Sequence, residues 1–217
     1  MSAHARPAID AVVFDIGGVL LDWNPRHLYR KVFDDEDVME RFLAEICTPQ
    51  WHDPHDRGES TADSCARLAD AHPQHADEIW AWMTRSEEMV AGALEDTVTI
   101  LTDLTDAGVA CYALSNMEAE TFPLRLERYP FFTLFDGVVI SGLEGMAKPD
   151  REIFELLLER FGLDASATLF IDDNVGNLEP ASALGMSTVH FESAQGLRRS
   201  LGALGLLRGD HGSGRVG

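Results

Sequence analysis

Short apolar runs recur along the chain at Ala11–Phe14, Val109–Leu114, Gly137–Ile140, Thr168–Ile171 and Ser187–Phe191. Continuous apolar runs of this length, without polar alternation, describe strands buried on both faces. Amphipathic stretches separate the later runs. In Arg151–Phe161, for instance, Ile153, Phe154, Leu157, Leu158 and Phe161 fall at helical spacing. Gly108, Gly162 and Gly185 stand shortly before new apolar runs, where a helix would end. Strands alternating with helices predict an α/β fold, a parallel sheet with helices on both faces.

Residues 21–92 break this rhythm, and no strand is expected there. The segment offers helix starts instead: Asn24 before Pro25, Asp35 or Asp37 before Val38–Ile46, and Ser60 or Thr61 before Ala62–Ala71. It reads as an inserted α-helical cap over the sheet edge. The expected division is residues 1–20 and 93–207 as the core, 21–92 as the helical cap, and 208–217 as a glycine-rich, frayed tail.

Composition narrows the function. The 217 residues are 45% hydrophobic and 25% charged, as for an ordinary globular chain. Acids outnumber bases 37 to 17, a formal charge of −20. Like charge repels nucleic-acid backbones and anionic membranes, so neither is an expected partner. Cys47, Cys65 and Cys111 are widely spaced and form no zinc-type pair, which points to free thiols in a reducing compartment. No secretion signal is visible at the start, and no run approaches the roughly 18 apolar residues of a membrane span. A cytoplasmic location is expected. Nothing in the pattern sets an oligomeric state.

Polar residues then cluster where strands end. The first strand runs into Asp15-Ile16-Gly17-Gly18, and the second ends in Ser115-Asn116. Lys148 follows the third, and the fourth ends in Asp172-Asp173-Asn174. Taken singly, these are ordinary turn, cap or loop residues; Ser115 and Asn116, for example, suit the start of a helix near Glu118. Jointly they are specific, because the carboxyl ends of parallel strands share one edge and such side chains converge there.

This set of motifs resembles the haloacid dehalogenase-like superfamily, over about Val12 to Phe191. The segments FDIGGVLLDWN (14–24), HDRGES (55–60) and FIDDNVGNLEPA (170–181) are especially similar to bacterial sugar-phosphate phosphatases of the α-D-glucose-1-phosphate phosphatase type. They also resemble the phosphatase domain of soluble epoxide hydrolase. The resemblance implies a Rossmann-like core with a type-1 helical cap and Asp15 as covalent nucleophile. It implies Ser115 and Lys148 as catalytic groups that also bind substrate, with Asn116 beside them. It implies Mg²⁺ held by Asp15, the Gly17 carbonyl, Asp172 and Asp173. One position departs from the usual pattern: Gly17 stands where most phosphatases of the superfamily carry a general acid.

Charge gives an independent argument for the metal. Asp15, Asp172 and Asp173 against Lys148 leave two negative charges, and a phosphate dianion would be repelled. A divalent cation brings the count to zero. The expected activity is therefore Mg²⁺-dependent hydrolysis of a small anionic metabolite, a phosphate monoester with sugar phosphates favoured, through an aspartyl-phosphate. Two alternatives stay open: a 2-haloacid dehalogenase using the same Asp without metal, and a non-catalytic phosphate-binding protein. In the insertion, Trp23, Trp51, Arg57, Trp80 and Trp82 are candidate cavity residues. The run His52-Asp53-Pro54-His55-Asp56 is expected to be a solvated loop, because Pro54 disrupts a helix.

Overall fold

The first apolar run becomes the middle of the sheet. In the computed structural model, which describes residues 8–207, β1 (Ala11–Phe14) is flanked on both sides and buried throughout. A turn leads to β2 (Leu21–Trp23) and then to five helices: α1 (Pro25–Tyr29), α2 (Glu36–Glu45), α3 (Pro49–Asp56), α4 (Thr61–Ala71) and α5 (Ala76–Thr84). The chain returns through β3 (Val90–Ala93) and continues as α6 (Glu95–Asp106), β4 (Ala110–Ser115), α7 (Phe122–Arg128), β5 (Gly137–Ile140) and α8 (Ser141–Glu144). It closes with α9 (Arg151–Phe161), β6 (Thr168–Asp172), α10 (Val175–Ala183), β7 (Ser187–His190) and α11 (Ala194–Ala203). The expected tail, 208–217, lies outside the described residues.

The five core strands are parallel, in the order β5-β4-β1-β6-β7. Alternation along β1 splits its side chains between two layers. Val12 and Phe14 pack with Ile100, Leu101 and Leu201 on one face. Val13 packs with Phe154, Leu157 and Phe170 on the other. Both faces are covered by helices, as the uninterrupted apolar runs require. The glycines that end α6, α9 and α10 adopt positive φ: Gly108 at 81°, Gly162 at 64° and Gly185 at 99°.

The insertion has its own apolar cluster, built around Leu28, Tyr29, Met39, Phe42, Ile79 and Trp82. Its helices start where the caps stand. Asn24 accepts from the Arg26 N–H at 3.0 Å, Asp35 from Val38 at 3.1 Å and Ser60 from Asp63 at 3.3 Å.

Two expectations fail here. Residues 21–92 do contain strand: β2 pairs antiparallel with β3, Leu21 opposite Ala93 and Trp23 opposite Val90. The insertion thus leaves and rejoins the core through a two-stranded ribbon. The His52–Asp56 run is also helix, not solvated loop. Thr48 caps α3, Pro49 opens it, and Pro54 is accommodated within it. Trp51 meets the His55 and Trp82 rings edge-on, at 4.6 and 5.2 Å between centroids. This aromatic packing outweighs the local cost of an internal proline.

Candidate active site

The topology reverses at β1. The chain builds outward through β4 and β5, then returns to place β6 on the other side of β1. Ligand crevices form at the carboxyl ends of strands beside such a reversal. Phe14 is level with Ala113 of β4 and Ile171 of β6. Asp15 and Asp172, one residue further on, and Ser115, two residues further on, therefore meet at one edge.

Lys148 joins them from the loop after α8. Its ammonium lies 2.9 Å from Asp15 Oδ1 and 2.7 Å from Asp172 Oδ2. Burial works against that charge, yet the two carboxylates outweigh it and hold the ammonium above its ordinary range. Asp172 is fully buried and saturated: its carboxylate also accepts from the Asn174 N–H at 2.8 Å and the Asn177 amide at 3.0 Å. Burial pushes the Asp15 carboxyl up to about 7, with Lys148 opposing and Asp172 reinforcing the shift. Asp173 is raised as well, by burial and by its neighbour Asp172. The three carboxylates bring ligand atoms within 4.8 Å of one another.

The turn after Asp15 has one obligatory glycine. Gly18 has φ of 72°, and a side chain there would run into the Asp173 carboxylate. Gly17 has neither restriction: its φ is not positive, and a Cβ would meet nothing within 4 Å.

Asp15, Gly17, Ser115, Asn116, Lys148 and Asp173 all line one cavity of about 440 Å³. Asp172 lies behind that lining. The Asn116 side chain is spent on scaffolding: its Oδ1 accepts from the Lys148 N–H and its Nδ2 donates to the Lys148 carbonyl, both at 2.9 Å. Asn116 does not cap a helix at Glu118, because α7 begins only at Phe122.

Of the five insertion residues expected near the cavity, Trp23 lines it. Trp51, Trp80 and Trp82 pack in the insertion's own apolar cluster, and Arg57 pairs with Asp53 and Asp150. The cavity lining also includes His52 and Asp56, expected in a solvated loop, and Glu118, expected only at the start of a helix. His52 Nε2 lies 3.3 Å from Glu118 Oε1, its Nδ1 lies 3.8 Å from Asp56 Oδ2, and the Trp82 indole donates to Glu118 at 3.3 Å. The four-residue step from His52 to Asp56 aligns the two along one helix face, a signal available once the segment is read as helix. His55 is buried beside them with neither ring nitrogen hydrogen-bonded, and burial lowers its pKa.

Similarity to known proteins extends over most of the chain. A sesquiterpene phosphatase of Aspergillus oryzae is 33% identical over 182 residues, 83% of this chain and 89% of that protein. A HAD family enzyme of Bacteroides thetaiotaomicron, solved with magnesium and inorganic phosphate, superposes with a TM-score of 0.63 at 23% identity, covering 84% of this chain and 93% of that one. The L-2-haloacid dehalogenase of Xanthobacter autotrophicus shares the fold with a TM-score of 0.62 at 19% identity, covering 90% and 83%. Residues 9–185 match the haloacid dehalogenase-like hydrolase family, and the chain belongs to it.

Proposed function

We propose that the chain is a Mg²⁺-dependent phosphatase of small phosphate monoesters, acting through an aspartyl-phosphate on Asp15. The observation that carries this reading is the convergence of Asp15, Lys148, Asp172 and Asp173 at one sheet edge, with Ser115 beside them in an open cavity. Among the described residues Lys148 is the cation in contact with these carboxylates, and the donors are all oxygen, which suits a hard cation. Asp15, the Gly17 carbonyl, Asp172 and Asp173 would hold it. Bound there, Mg²⁺ supplies the charge that lets a phosphate dianion approach a carboxylate.

The chain's own residues do the rest. Asp15 attacks phosphorus in line, splitting one difficult displacement into two. The Lys148 ammonium and the Ser115 hydroxyl bind the equatorial oxygens, where charge resides in a loose transition state. Asn116 fixes the backbone that carries Lys148. A water then cleaves the acyl phosphate, releasing inorganic phosphate and restoring Asp15. The helical insertion serves as the cap that covers the leaving group.

For the leaving group, the polar mouth formed by Asn24, Arg26, His52 and Asp56 favours a hydroxylated one, hence sugar phosphates. The apolar wall of Leu21, Trp23 and Val90 supports a second reading, an isoprenoid phosphate, in line with the name of the Aspergillus relative. Unpaired, buried Cys47, Cys65 and Cys111 support a reducing, cytoplasmic setting. Among the described residues no helix is long and apolar enough to cross a membrane.

A panel of sugar, isoprenoid and p-nitrophenyl phosphates, assayed with Mg²⁺ and with excess chelator, tests the proposal. Turnover should require Mg²⁺, and Asp15→Asn should lower it by roughly 10⁴–10⁶-fold. Turnover of 2-haloacids in chelator, with none of the esters hydrolysed, would replace this reading with dehalogenation.

A further inference from the structure

Hydrolysis of an alkyl phosphate needs a proton for the departing oxygen, and a positioned acid contributes about 10²–10⁴-fold. The turn that carries Asp15 provides none, since Ile16, Gly17 and Gly18 have no ionisable side chain. Resting on the phosphatase reading above, we propose that Asp56, presented by the helical insertion, is the acid that protonates the leaving alcohol.

Elimination within the cavity supports this. Lys148 and Asp173 belong to the phosphate end. Arg26 is paired with Glu40 at 2.5 Å, and Arg125 with Glu87. Glu118 is buried, yet His52 and the Trp82 indole hold its carboxyl below the usual range, so it carries no proton to give. Both ring nitrogens of His52 face carboxylates. Asp56 is left. It opens on the cavity with 13% of its side chain exposed. Burial pushes its carboxyl up to about 6, with the His52 charge opposing. The groups acting on it are His52 and Asp53 of its own helix, Glu118 of the loop after β4, and Lys148.

Its placement is built, not incidental. Asp56 is the last residue of α3, and the chain comes against the core directly after it. Arg57 pairs with Asp150, and Gly58, at φ of 87°, sits so close to the Gly142 carbonyl that a Cβ would contact it at 2.9 Å. The Trp82–Glu118–His52 chain places the His52 ring 3.8 Å from the Asp56 carboxyl.

The step balances. As the Asp15 oxygen bonds to phosphorus, the ester P–O bond breaks and the Asp56 proton passes to the leaving oxygen, releasing the alcohol. The Asp56 carboxylate then takes a proton from the water that attacks the acyl phosphate. That attack breaks the Asp15–phosphorus bond and regenerates both residues.

The test compares an alkyl phosphate with p-nitrophenyl phosphate, whose leaving group needs little help. In Asp56→Asn, kcat/KM for the alkyl ester should fall about 10²–10⁴-fold while p-nitrophenyl phosphate loses less than about tenfold. Gly17 has open space for a side chain, so Gly17→Asp in the Asp56→Asn background should recover at least about tenfold on the alkyl ester, a rescue that a misfolded variant would not show. An equal fall on both esters without rescue, or no fall on either, would overturn the assignment. A wild-type chain inert toward both esters in Mg²⁺ would overturn the phosphatase reading and this one with it.

Discussion

The sheet edge and the helical insertion handle polar side chains in opposite ways. At the edge, Asp15, Lys148 and Asp172 are buried, and Asp172 and Lys148 are tied into bonds with strand ends and loop backbone. The positions of Asp15 and Asp172 follow from strand register, and that of Lys148 from the Asn116 side chain that holds its backbone. The insertion buries mainly apolar and aromatic side chains in its own cluster, and its polar tethers to the core include Glu118 with His52 and Trp82, Glu87 with Arg125 and Arg128, and Asp150 with Arg57. Charge at the edge is fixed by the fold itself. Charge on the insertion depends on tethers that can give.

That contrast can be broken at the edge first. Lys148→Met conserves bulk but strands Asp15 and Asp172 without a cation. Urea unfolding in chelator should show a loss of about 3–5 kcal/mol, the usual cost of leaving one partner of a buried pair. A loss below about 1 kcal/mol would mean that the edge charges are compensated elsewhere, and the contrast would fail.

A smaller effect is expected at the His52–Glu118 tether. Burial disfavours the imidazolium, but Glu118 and Asp56 outweigh it and raise the His52 pKa above its ordinary value. A raised pKa gives stability that is fully present below the unfolded histidine value and is lost as pH rises through the folded one. His52→Asn should therefore cost about 1.5–3 kcal/mol in mildly acidic buffer and progressively less in alkaline buffer. A pH-independent cost would show that packing against Trp23 and Trp82, not charge, holds the insertion there.

The smallest change belongs to Arg57. Its partners Asp53 and Asp150 are 55% and 40% exposed, so solvent screens the pairs. Arg57→Ala should shift unfolding by about 0–1 kcal/mol. A larger shift would make this tether structural and narrow the difference between the two regions.

The same contrast explains what could be read from the chain alone. The strands were legible because burial on both faces leaves no polar alternation. Asp15, Ser115 and Asp172 were legible because they stand at or just beyond the ends of those strands, and Lys148 because it is a lone cation in the loop region after the third. The ribbon was not, since Leu21–Trp23 spans only three residues and Val90–Ala93 includes Gly92, too little pattern to stand out. Pro54 hid α3, although Thr48-Pro49 repeats the start signal of Asn24-Pro25. With α3 hidden, His52 and Asp56 had no helix face to share. Glu118 was out of reach for another reason: it joins the cavity only by meeting residues of the insertion 36 and 66 positions away.

The ribbon carries one further consequence. Because the insertion departs at Leu21 and comes back at Ala93, directly opposite, both of its attachment points lie side by side. A segment grafted through such a narrow neck can be lengthened, shortened or exchanged while the parallel sheet keeps its register. Divergence in what the protein accepts can then proceed in one module while the phosphate end stays as it is.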